Sequence, residues 1–523
     1  MKHQIDEKQF GIERPQSHGI WSAGGLIEKR NEKMIKNEIK YGKNTENEIS
    51  ATKGETADNR DRGGSGADLE NGNIRRLMVR LALPTVLAQL VSMLYNIVDR
   101  VYIGHMPGSG ADALTGVGLC FPLITLVTAF ASLVCAGGAP RAAISMGQKD
   151  NRRAEQIMGN CFVVLIFTAV LLTAFIEVFA EPVLTLFGAS ENTLPYAVAY
   201  MRYYAAGTIF IMTSLWMNMF IMSQGFSGVS MMTTMIGAVL NIILDPIFIF
   251  ALDMGVKGAA VATVISQAVS AAWVVSFLFG RSTKLRLKAE RMRLRADILL
   301  PSLALGLSPF VMQSTESLLN ICFNFSLSRF GGDPAVGAMT IIASTAQLMA
   351  LPTIGICQGG QPIISFNFGA GNDLRVKQAF QCQFFACLTY AAVFFICAML
   401  FPHILAGIFT GDEALLSYTV RYFRLYHAGA FIIGIQICCQ QAFMALGQAK
   451  ISLLLACLRK LILLIPLIFI LPVFFQNDVF AVFLAEPVSD IIAGLVTGTL
   501  FFTRLPRILH KGAQGRAEGK VTE

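Results

Sequence analysis

The sequence predicts an all-α polytopic membrane protein, with twelve transmembrane helices arranged as two six-helix repeats. Its 523 residues are 54% hydrophobic and only 15% charged, a composition outside the range of soluble domains. Apolar runs of about 20 residues recur along the chain, which is the length that an α-helix needs to cross the hydrocarbon core. The third observation is an internal repeat.

Two similar segments reveal this repeat: YAVAYMRYYAAG from Tyr196 aligns with YTVRYFRLYHAG from Tyr418, an offset of 222 residues. The same offset pairs Gly137 with Gly359, Pro140 with Pro362, and Gly147 with Gly369. A parallel duplication of this kind is typical of transporters built from two halves.

The duplication divides the chain into five parts. Residues 1–73 are polar and carry charges of both signs, so we expect a disordered cytoplasmic tail. The first half, 74–280, and the second half, 298–505, each hold six predicted spans, and a basic linker, 281–297, joins them. Residues 506–523 are expected to form a second cytoplasmic tail.

The predicted spans are 80–104, 113–145, 154–180, 196–222, 229–252, 256–280, 300–328, 336–366, 378–402, 417–445, 451–475 and 479–503. Basic residues cluster in alternate loops, most densely at 281–295, where seven of them occur. The other basic loops contain Arg75, Arg76, Lys149, Arg152, Arg153, Arg375, Lys377, Arg504 and Arg507. Because cytoplasmic loops retain Lys and Arg, both termini are predicted to be cytoplasmic.

Two acidic residues lie inside spans of the first half. Asp99 is in the first span and Asp245 in the fifth, where insertion of a charged side chain at the centre of a helix costs about 2.5–3.5 kcal/mol. Asn241 precedes Asp245 by one turn and shares its helix face. Pro246 favours a bend beside the acid, because proline cannot donate a hydrogen bond to the helix. Such a group could hold a proton or a small cation between two helices.

The alternative for both acids is a structural role. In that case Asp99 is an interfacial residue paired with Arg100, and Asp245 is a satisfied polar group at a helix kink. The repeat favours function instead, because Asp245 corresponds to Leu467 in the second half. In the first span the offset changes by two residues, to 224, so Asp99 corresponds to about Phe323. A residue needed only for the shared fold would be expected in both halves.

The second half carries different charges. Glu316 lies in the middle of the seventh span, Arg459 and Lys460 lie in the eleventh, and Glu486 and Asp490 are one turn apart in the twelfth. Glu316 could neutralise a cationic substrate in a central cavity. Alternatively, Glu316, Arg459 and Asp490 form an internal ion-pair network that only locks the helices together.

Several function classes lack their sequence signatures. The chain has no GxxxxGKS/T P-loop, no HExxH pair and no TVGYG-like filter. Its eleven cysteines lie almost wholly in apolar segments without CxxC spacing, so we interpret them as buried free thiols and expect no metal or cofactor. We also find no catalytic constellation and predict that the protein is not an enzyme. Transport would then depend on an ion gradient.

Several segments resemble the multidrug and toxic compound extrusion (MATE) family, closest to its MepA-like bacterial branch. They are LALPTVLAQLVSMLYNIVDRVYIG, GAPRAAISMGQKD, LNIILDPIFIF followed by MGVKGAAVATVISQ, and EPVSD, and the resemblance covers about 75–505. It implies two six-helix lobes around a central cavity that opens outward and inward in turn. It also implies export of organic cations in exchange for H⁺ or Na⁺.

The resemblance implies roles for individual residues. Asp99, Asn241 and Asp245 match the family's ion-coupling site, and Glu316 matches an acid implicated in cation or substrate binding. The tenth span contains no acid, whereas some family members carry a second-lobe cation ligand there. Four more residues are candidates for substrate or cation binding: Gln89, Tyr95, Asn96 and Asp490.

We therefore predict a secondary antiporter of the cytoplasmic membrane that exports organic, often cationic, compounds in exchange for H⁺ or Na⁺. Its partners would be a small amphipathic substrate and the lipid bilayer, not nucleic acid, and it is expected to act as a monomer. The alternative is a flippase for lipid-linked or polysaccharide intermediates. A flippase would line its cavity with several cations to bind phosphate, and Arg459 and Lys460 are the main candidates within the membrane.

Overall fold

The computed structural model describes residues 66–106, 110–475 and 478–517, and the regular secondary structure in these ranges is entirely helical. We number the helices in chain order and join helical segments that continue into one another. They are α1 Ile74–Gly104, α2 Gly110–Gly147, α3 Asn151–Leu186, α4 Leu194–Ala206, α5 Thr208–Ser223, α6 Ser227–Ala251, α7 Val256–Phe279, α8 Ala296–Ala370, α9 Asp373–Leu400, α10 Pro402–Gly407, α11 Glu413–Ala445, α12 Ala449–Phe474 and α13 Asp478–Ala517.

These helices contain the twelve predicted spans. Ten of the described helices are long and apolar enough to cross a membrane, and the pair α4 and α5, bent by 61°, makes an eleventh span. The 75 residues of α8 would measure about 110 Å as one straight helix, far more than a bilayer. Gly332 breaks α8 with a φ of 64°, which glycine adopts without steric cost. The two arms of α8 are therefore separate spans, and the prediction of twelve is confirmed.

Several helices begin before their apolar spans because polar side chains cap the first turn. The Asn73 side chain accepts hydrogen bonds from the backbone N–H groups of Arg75 and Arg76 at the start of α1. Asp150 caps α3 and Asn372 caps α9 in the same way. These caps satisfy N–H groups that have no partner within the helix, so the helices extend into the basic loops.

The apolar core includes one cluster within the first half and another in the second half, which also takes in Leu77 and Leu81 from α1. In the first half Met158, Leu165 and Phe220 are almost fully buried in one cluster. In the second half Phe443 and Phe501 are buried in another, with their ring centroids 5.0 Å apart. Residues of this second cluster continue past the predicted end of the last span. Leu509, for example, is 2% exposed.

The two halves meet through glycines on α2 and α8. A Cβ added to Gly147 would lie 2.0 Å from the carbonyl oxygen of Phe366, and one added to Gly369 would lie 2.0 Å from that of Ile144. Gly137 and Gly306 approach the opposite backbone just as closely. We call Gly137, Gly147, Gly306 and Gly369 the glycine crossing. It lies at the end of the molecule that carries the basic loops, and it holds the halves together there.

A short strap, residues 66–72, reinforces this contact. The Ala67 N–H donates to the Gly225 carbonyl in the first half at 3.1 Å. The Asn367 Nδ2 donates to the Leu69 carbonyl at 3.0 Å, and Arg375 Nη2 donates to the Leu69 and Gly72 carbonyls at 3.3 and 2.8 Å. Arg375 and Asn367 belong to the second half, so the strap joins both halves.

The predicted tails need correction at their inner ends. Disorder through residue 73 is wrong for residues 66–73, because Ala67 and Leu69 are 1% and 3% exposed in the packed core. Similarly, residues 506–517 continue α13 rather than leaving the fold. In both cases the segment is mostly polar, but a few of its apolar side chains are buried between helices. The rest of the predicted tails, 1–65 and 518–523, lies outside the described residues.

The basic linker is docked on the first half. Glu155 on α3 forms an ion pair with Lys288 at 3.0 Å, and its Oε1 also accepts from the Arg286 N–H at 3.3 Å. The Thr283 hydroxyl donates to Gln224 Oε1 at 2.7 Å. The linker therefore has a defined position on the first half, against α3 and the end of α5.

Candidate functional site

Two polar clusters lie within the helices, one in each half. The first-half cluster consists of Asp99, Asn241 and Asp245. Asn241 Nδ2 donates to Asp245 Oδ1 at 2.9 Å and lies 3.3 Å from the Thr263 hydroxyl on α7. Asn241 and Asp245 are 3% and 0% exposed. The one-turn spacing thus places both side chains on the inner face of α6.

The helix geometry changes directly after Asp245. The α-helical part of α6 ends at Pro246, and the π-helical segment Ile247–Ala251 follows. Proline has no N–H to donate, and π segments occur frequently at functional sites. The acid therefore lies at the point where α6 departs from regular α-helical geometry.

Asp99 joins this cluster from α1. Helices α1 and α6 pack along each other, and the Asp99 and Asp245 carboxyl groups interact electrostatically. Tyr95, one turn earlier on α1, also interacts with Asp99. The packing of the two helices thus brings together two acids that are 146 residues apart in the sequence.

The first-half cluster has more acceptors than donors. Asp99 Oδ1, Asn241 Oδ1 and Asp245 Oδ2 are buried, and they have no hydrogen-bond partner among the described residues. Arg100 attracts the Asp99 carboxylate, but its guanidinium lies over the Phe121 ring, 4.7 Å from the centroid. Buried oxygens without donors are costly. Protonation of a carboxyl group, or a small cation bound beside it, would reduce this excess of unpaired acceptors.

The second-half cluster consists of Glu316, Arg459, Lys460, Glu486 and Asp490. The Arg459 guanidinium on α12 donates to Asp490 Oδ1 at 2.7 Å and to Glu486 Oε1 at 2.8 Å on α13. Both carboxylates are largely buried. The one-turn spacing of Glu486 and Asp490 therefore presents two acids to one arginine.

Lys460 pairs with Glu316 on α8, and its ammonium also donates to the Met312 carbonyl at 3.0 Å. The side chain of Lys460 is 8% exposed, whereas that of Glu316 is 58% exposed. Arg459 and Lys460 both lie in the π-helical segment Leu458–Leu464. The structure thus shows an ion-pair network in which Glu316 pairs with Lys460 and not with Arg459.

The remaining predicted binding residues are distributed differently. Gln89 Nε2 donates to Gln358 Oε1 at 3.0 Å, which is a contact between the halves. Asn96 is exposed and donates to the Ser92 carbonyl of its own helix at 2.6 Å. The structure therefore brings Tyr95 to the first cluster and Asp490 to the second, and places Gln89 at the interface between the halves.

Glu486, Thr263 and Tyr200 were not among the predicted site residues, and Lys460 was predicted only as a candidate cation for a phosphate ligand. Charge within an apolar segment was an available signal for Lys460 and Glu486. Tyr200 interacts electrostatically with Asp99, and its repeat partner is Tyr422, a pairing that suggests a packing residue. Thr263 carried no signal, because a threonine in a transmembrane helix is commonplace.

The cysteines are free thiols, as interpreted from the sequence. Three of them, Cys357, Cys387 and Cys438, converge from α8, α9 and α11, and their sulfur atoms lie within 4.8 Å of one another. Within the described part of the chain, these three cysteines could offer three ligands to a metal ion. All three are almost fully buried, and as neutral thiols they pack like other small apolar side chains.

A cavity of about 1070 Å³ lies elsewhere in the first half, between α3, α4 and the connection from α6 to α7. Charged residues of both signs line it: Glu177, Glu181, Arg202, Asp253 and Lys257. None of the residues of the two polar clusters contributes to its lining. This cavity is therefore separate from the candidate site.

One protein-family model, MatE, matches the chain twice, over residues 84–247 and 309–470. The chain belongs to the MatE family. Each match covers most of one half, in agreement with the internal repeat. Multidrug export protein MepA of Staphylococcus saprophyticus is 24% identical over 432 residues, which cover 82% of this chain and 94% of that protein. The protein of the same name from Staphylococcus aureus strain N315 is 24% identical over 434 residues, with the same coverage.

Solved MATE structures share the fold. The outward-facing conformation of a multidrug resistance MATE family transporter gives a TM-score of 0.80 at 22% identity, and covers 86% of this chain and 99% of that one. A second structure gives a TM-score of 0.79 with the same identity and coverage. It is a MOP superfamily transporter from Pyrococcus furiosus Vc1, described as having a binding pocket of reverse polarity. The protein is therefore a multi-pass membrane transporter of this fold and not an enzyme.

Proposed function

We propose that this MatE protein is a secondary antiporter of the cell membrane that exports organic, often cationic, compounds in exchange for H⁺ or Na⁺. The observation that carries the proposal is the set of three unpartnered oxygens in the first-half cluster, which belong to Asp99, Asn241 and Asp245. An acid in a transmembrane helix is a candidate for proton or ion translocation. Multidrug export is the activity named for the MepA relatives.

Coupling would depend on how the two acids respond to a cation. With both carboxylates ionised, Asp99 and Asp245 repel each other across the contact between α1 and α6. A bound proton or Na⁺ removes one charge and bridges the two helices. The conformation that fits the ion therefore differs from the one that fits the substrate, as exchange requires.

The closed end of the molecule supports an outward-facing assignment of this conformation. The glycine crossing and the strap close the end that carries the basic loops. If that end is cytoplasmic, as the distribution of Lys and Arg predicts, the central cavity that the family fold implies between the halves opens to the outside. Both termini would then lie in the cytoplasm.

The flippase alternative is less well supported by the second-half cluster. Lipid-linked phosphates would require cations that are available to a ligand. Arg459 is already paired with Glu486 and Asp490, and Lys460 with Glu316. The cluster holds three carboxylates and two cations, so it favours a cationic ligand over an anionic one.

The test is ethidium transport by everted membrane vesicles that lack other efflux pumps. A proton gradient and a sodium gradient would be imposed separately, and wild type would be compared with Asp245→Asn. Asp412→Asn is a matched control, because Asp412 caps α11 at an exposed position and asparagine can cap equally well.

Wild type and Asp412→Asn are expected to accumulate ethidium under one of the two gradients, and Asp245→Asn under neither. The effective gradient names the coupling ion. Transport by Asp245→Asn at the wild-type rate would remove the first-half cluster from the mechanism. Absence of ethidium transport by wild type under both gradients would favour the flippase.

A further inference from the structure

In the second-half cluster, the Lys460 ammonium occupies the position at which a cationic ligand would bind. Lys460 neutralises Glu316, which lies in the middle of a span and is nevertheless 58% exposed. An ionised carboxylate at that depth does not face lipid, so we place its exposed side in the central cavity that the family fold implies between the halves. A positively charged molecule in the cavity can therefore reach the Glu316 carboxylate. That carboxylate is already paired with the Lys460 ammonium.

We propose that Lys460 is a tethered competitor for the substrate, which sets the preference of the site for organic monocations. A cationic substrate would bind the Glu316 carboxylate by displacing the Lys460 ammonium. After the substrate leaves, the ammonium returns to Glu316. This inference rests on the proposed function, and it adds the substrate charge and the residue that selects it.

The count of charges supports a monovalent substrate. Glu316, Glu486 and Asp490 contribute three negative charges, and Arg459 and Lys460 contribute two positive ones. The cluster is thus short of one positive charge when all five groups are ionised. Buried charges are stable only when they are paired, so one organic monocation completes the cluster, whereas a dication leaves it positive.

The contacts of Lys460 allow it to move without losing every partner. Its ammonium donates to the Met312 carbonyl at 3.0 Å, a bond that does not involve Glu316. It also interacts electrostatically with Glu486 and Asp490, so these acids would continue to attract it. Lysine has three donors on a flexible stem, which suits a group that changes partners.

Arg459, the neighbouring cation, is not suited to this role. Its guanidinium makes two short bonds to Asp490 and Glu486, and the Ser489 hydroxyl donates to its backbone carbonyl at 2.9 Å. Breaking these contacts would leave two buried carboxylates unpaired. Arg459 therefore holds α12 against α13, while Lys460 forms the direct ion pair with the accessible carboxylate of Glu316.

The first half has no equivalent of this arrangement. The offset of 222 residues pairs Lys460 with Ala238, and the offset of 224 residues that holds for the first span of each half pairs Glu316 with Ser92. The lysine and its acid are thus not required by the fold that both halves share. Their presence together in one half is what a function specific to that half predicts.

The experiment is equilibrium binding to the purified full-length protein in lipid nanodiscs at pH 8. The two probes are ethidium, a permanent monocation, and the uncharged amphiphile N-phenyl-1-naphthylamine. Two variants change the competitor in opposite directions. Lys460→Met removes the ammonium, and Lys460→Arg replaces it with a guanidinium, which binds a carboxylate with two parallel hydrogen bonds.

We expect Lys460→Met to bind ethidium about tenfold more tightly and Lys460→Arg about tenfold less tightly, because the strength of the competing ion pair changes in each case. Binding of the uncharged probe should change by less than about twofold in both variants. In the background of Glu316→Gln, the gain from Lys460→Met should disappear, because the contested carboxylate is gone.

Two results would overturn the proposal. If both variants shift the two probes equally, or if Lys460→Met weakens ethidium binding, Lys460 is a structural counterion. The Arg variant retains the charge and the ion pair, so it tests the proposal even if the Met variant does not fold. Wild type that binds neither probe would refute the proposed export function as well. Wild type that binds and exports ethidium, with no selective shift in the variants, refutes the role of Lys460 alone.

Discussion

The two halves of this transporter share a fold and differ in the chemistry of their interiors. The first-half cluster places Asp99 and Asp245 together without an ion-pair partner among the described residues. The second-half cluster holds three acids against two cations and forms three ion pairs. The duplicated helices therefore provide two similar scaffolds. The acids of one have no ion-pair partner among the described residues, and the charges of the other are largely neutralised by the protein itself.

At one close contact between the halves, the residues that are equivalent in the repeat are the same in both halves. Gly147 and Gly369 are equivalent in the repeat, and each one faces a backbone carbonyl of the other half. At the polar clusters the repeat has been lost, because Asp245 corresponds to Leu467 and Lys460 to Ala238. Close backbone contact constrains both partners equally, whereas a binding site is needed only once.

The largest difference between the halves should appear when each cluster loses one charged group. Arg459→Met leaves Glu486 and Asp490 buried without their counterion, which should destabilise the protein by about 3–5 kcal/mol. Asp245→Asn removes a carboxylate that has no cation partner in the described part of the chain, and should not lower the stability. Thermal unfolding in detergent measures both variants.

A compensated variant sharpens this comparison. Arg459→Met combined with Glu486→Gln and Asp490→Asn removes all three charges and should recover most of the lost stability, because no buried charge remains. Equal destabilisation by Arg459→Met and Asp245→Asn would show that the two clusters do not differ in the way described.

A substitution in the glycine crossing is expected to have an intermediate effect on stability. Gly147→Ala puts a Cβ 2.0 Å from the Phe366 carbonyl oxygen, so the halves must separate at the basic end, at a cost of about 1–3 kcal/mol. Gly118→Ala is the matched control on the same helix, because a Cβ there meets no atom within 4 Å. Spin labels at Lys149 and Lys377, read by electron–electron distance measurements, should report longer distances only for Gly147→Ala. Unchanged distances would contradict a crossing that closes this end.

The strap is expected to have the smallest effect of the three. Arg375→Met removes two side-chain hydrogen bonds to the strap, to Leu69 and Gly72, each worth about 0.5–1.5 kcal/mol or somewhat more for a charged donor. The same label pair should show a minor population of longer distances. Arg424→Met is the control, because Arg424 donates to the Met399 carbonyl within the second half. An equal response of the two variants would argue against a role for the strap in closing the molecule.

The polar sites were only partly predictable. A buried acid such as Asp245 stands out in an apolar run, and the spacing of Asn241 and Asp245 places them on one face of a helix whatever the tertiary structure. The ion-pair partner of a charged group cannot be predicted in this way. Glu316 was expected to pair with Arg459 if it paired at all, but the π-helical segment in α12 directs Lys460 to it instead. Two neighbouring cations in a sequence give no sign of which one faces which acid.

The sequence by itself determined the class of protein, the twelve spans, the duplication and the positions of the buried charges, because hydrophobic length and periodicity act locally along the chain. Tertiary structure decided which charges meet: Asp99 with Asp245 across α1 and α6, and Lys460 with Glu316 across α12 and α8. It also decided the place of residues 66–72, whose polar composition predicts disorder. Their carbonyls are bound by Arg375 and Asn367, and their two apolar side chains are buried. Such contacts depend on helices far apart in sequence, so only their packing could reveal them.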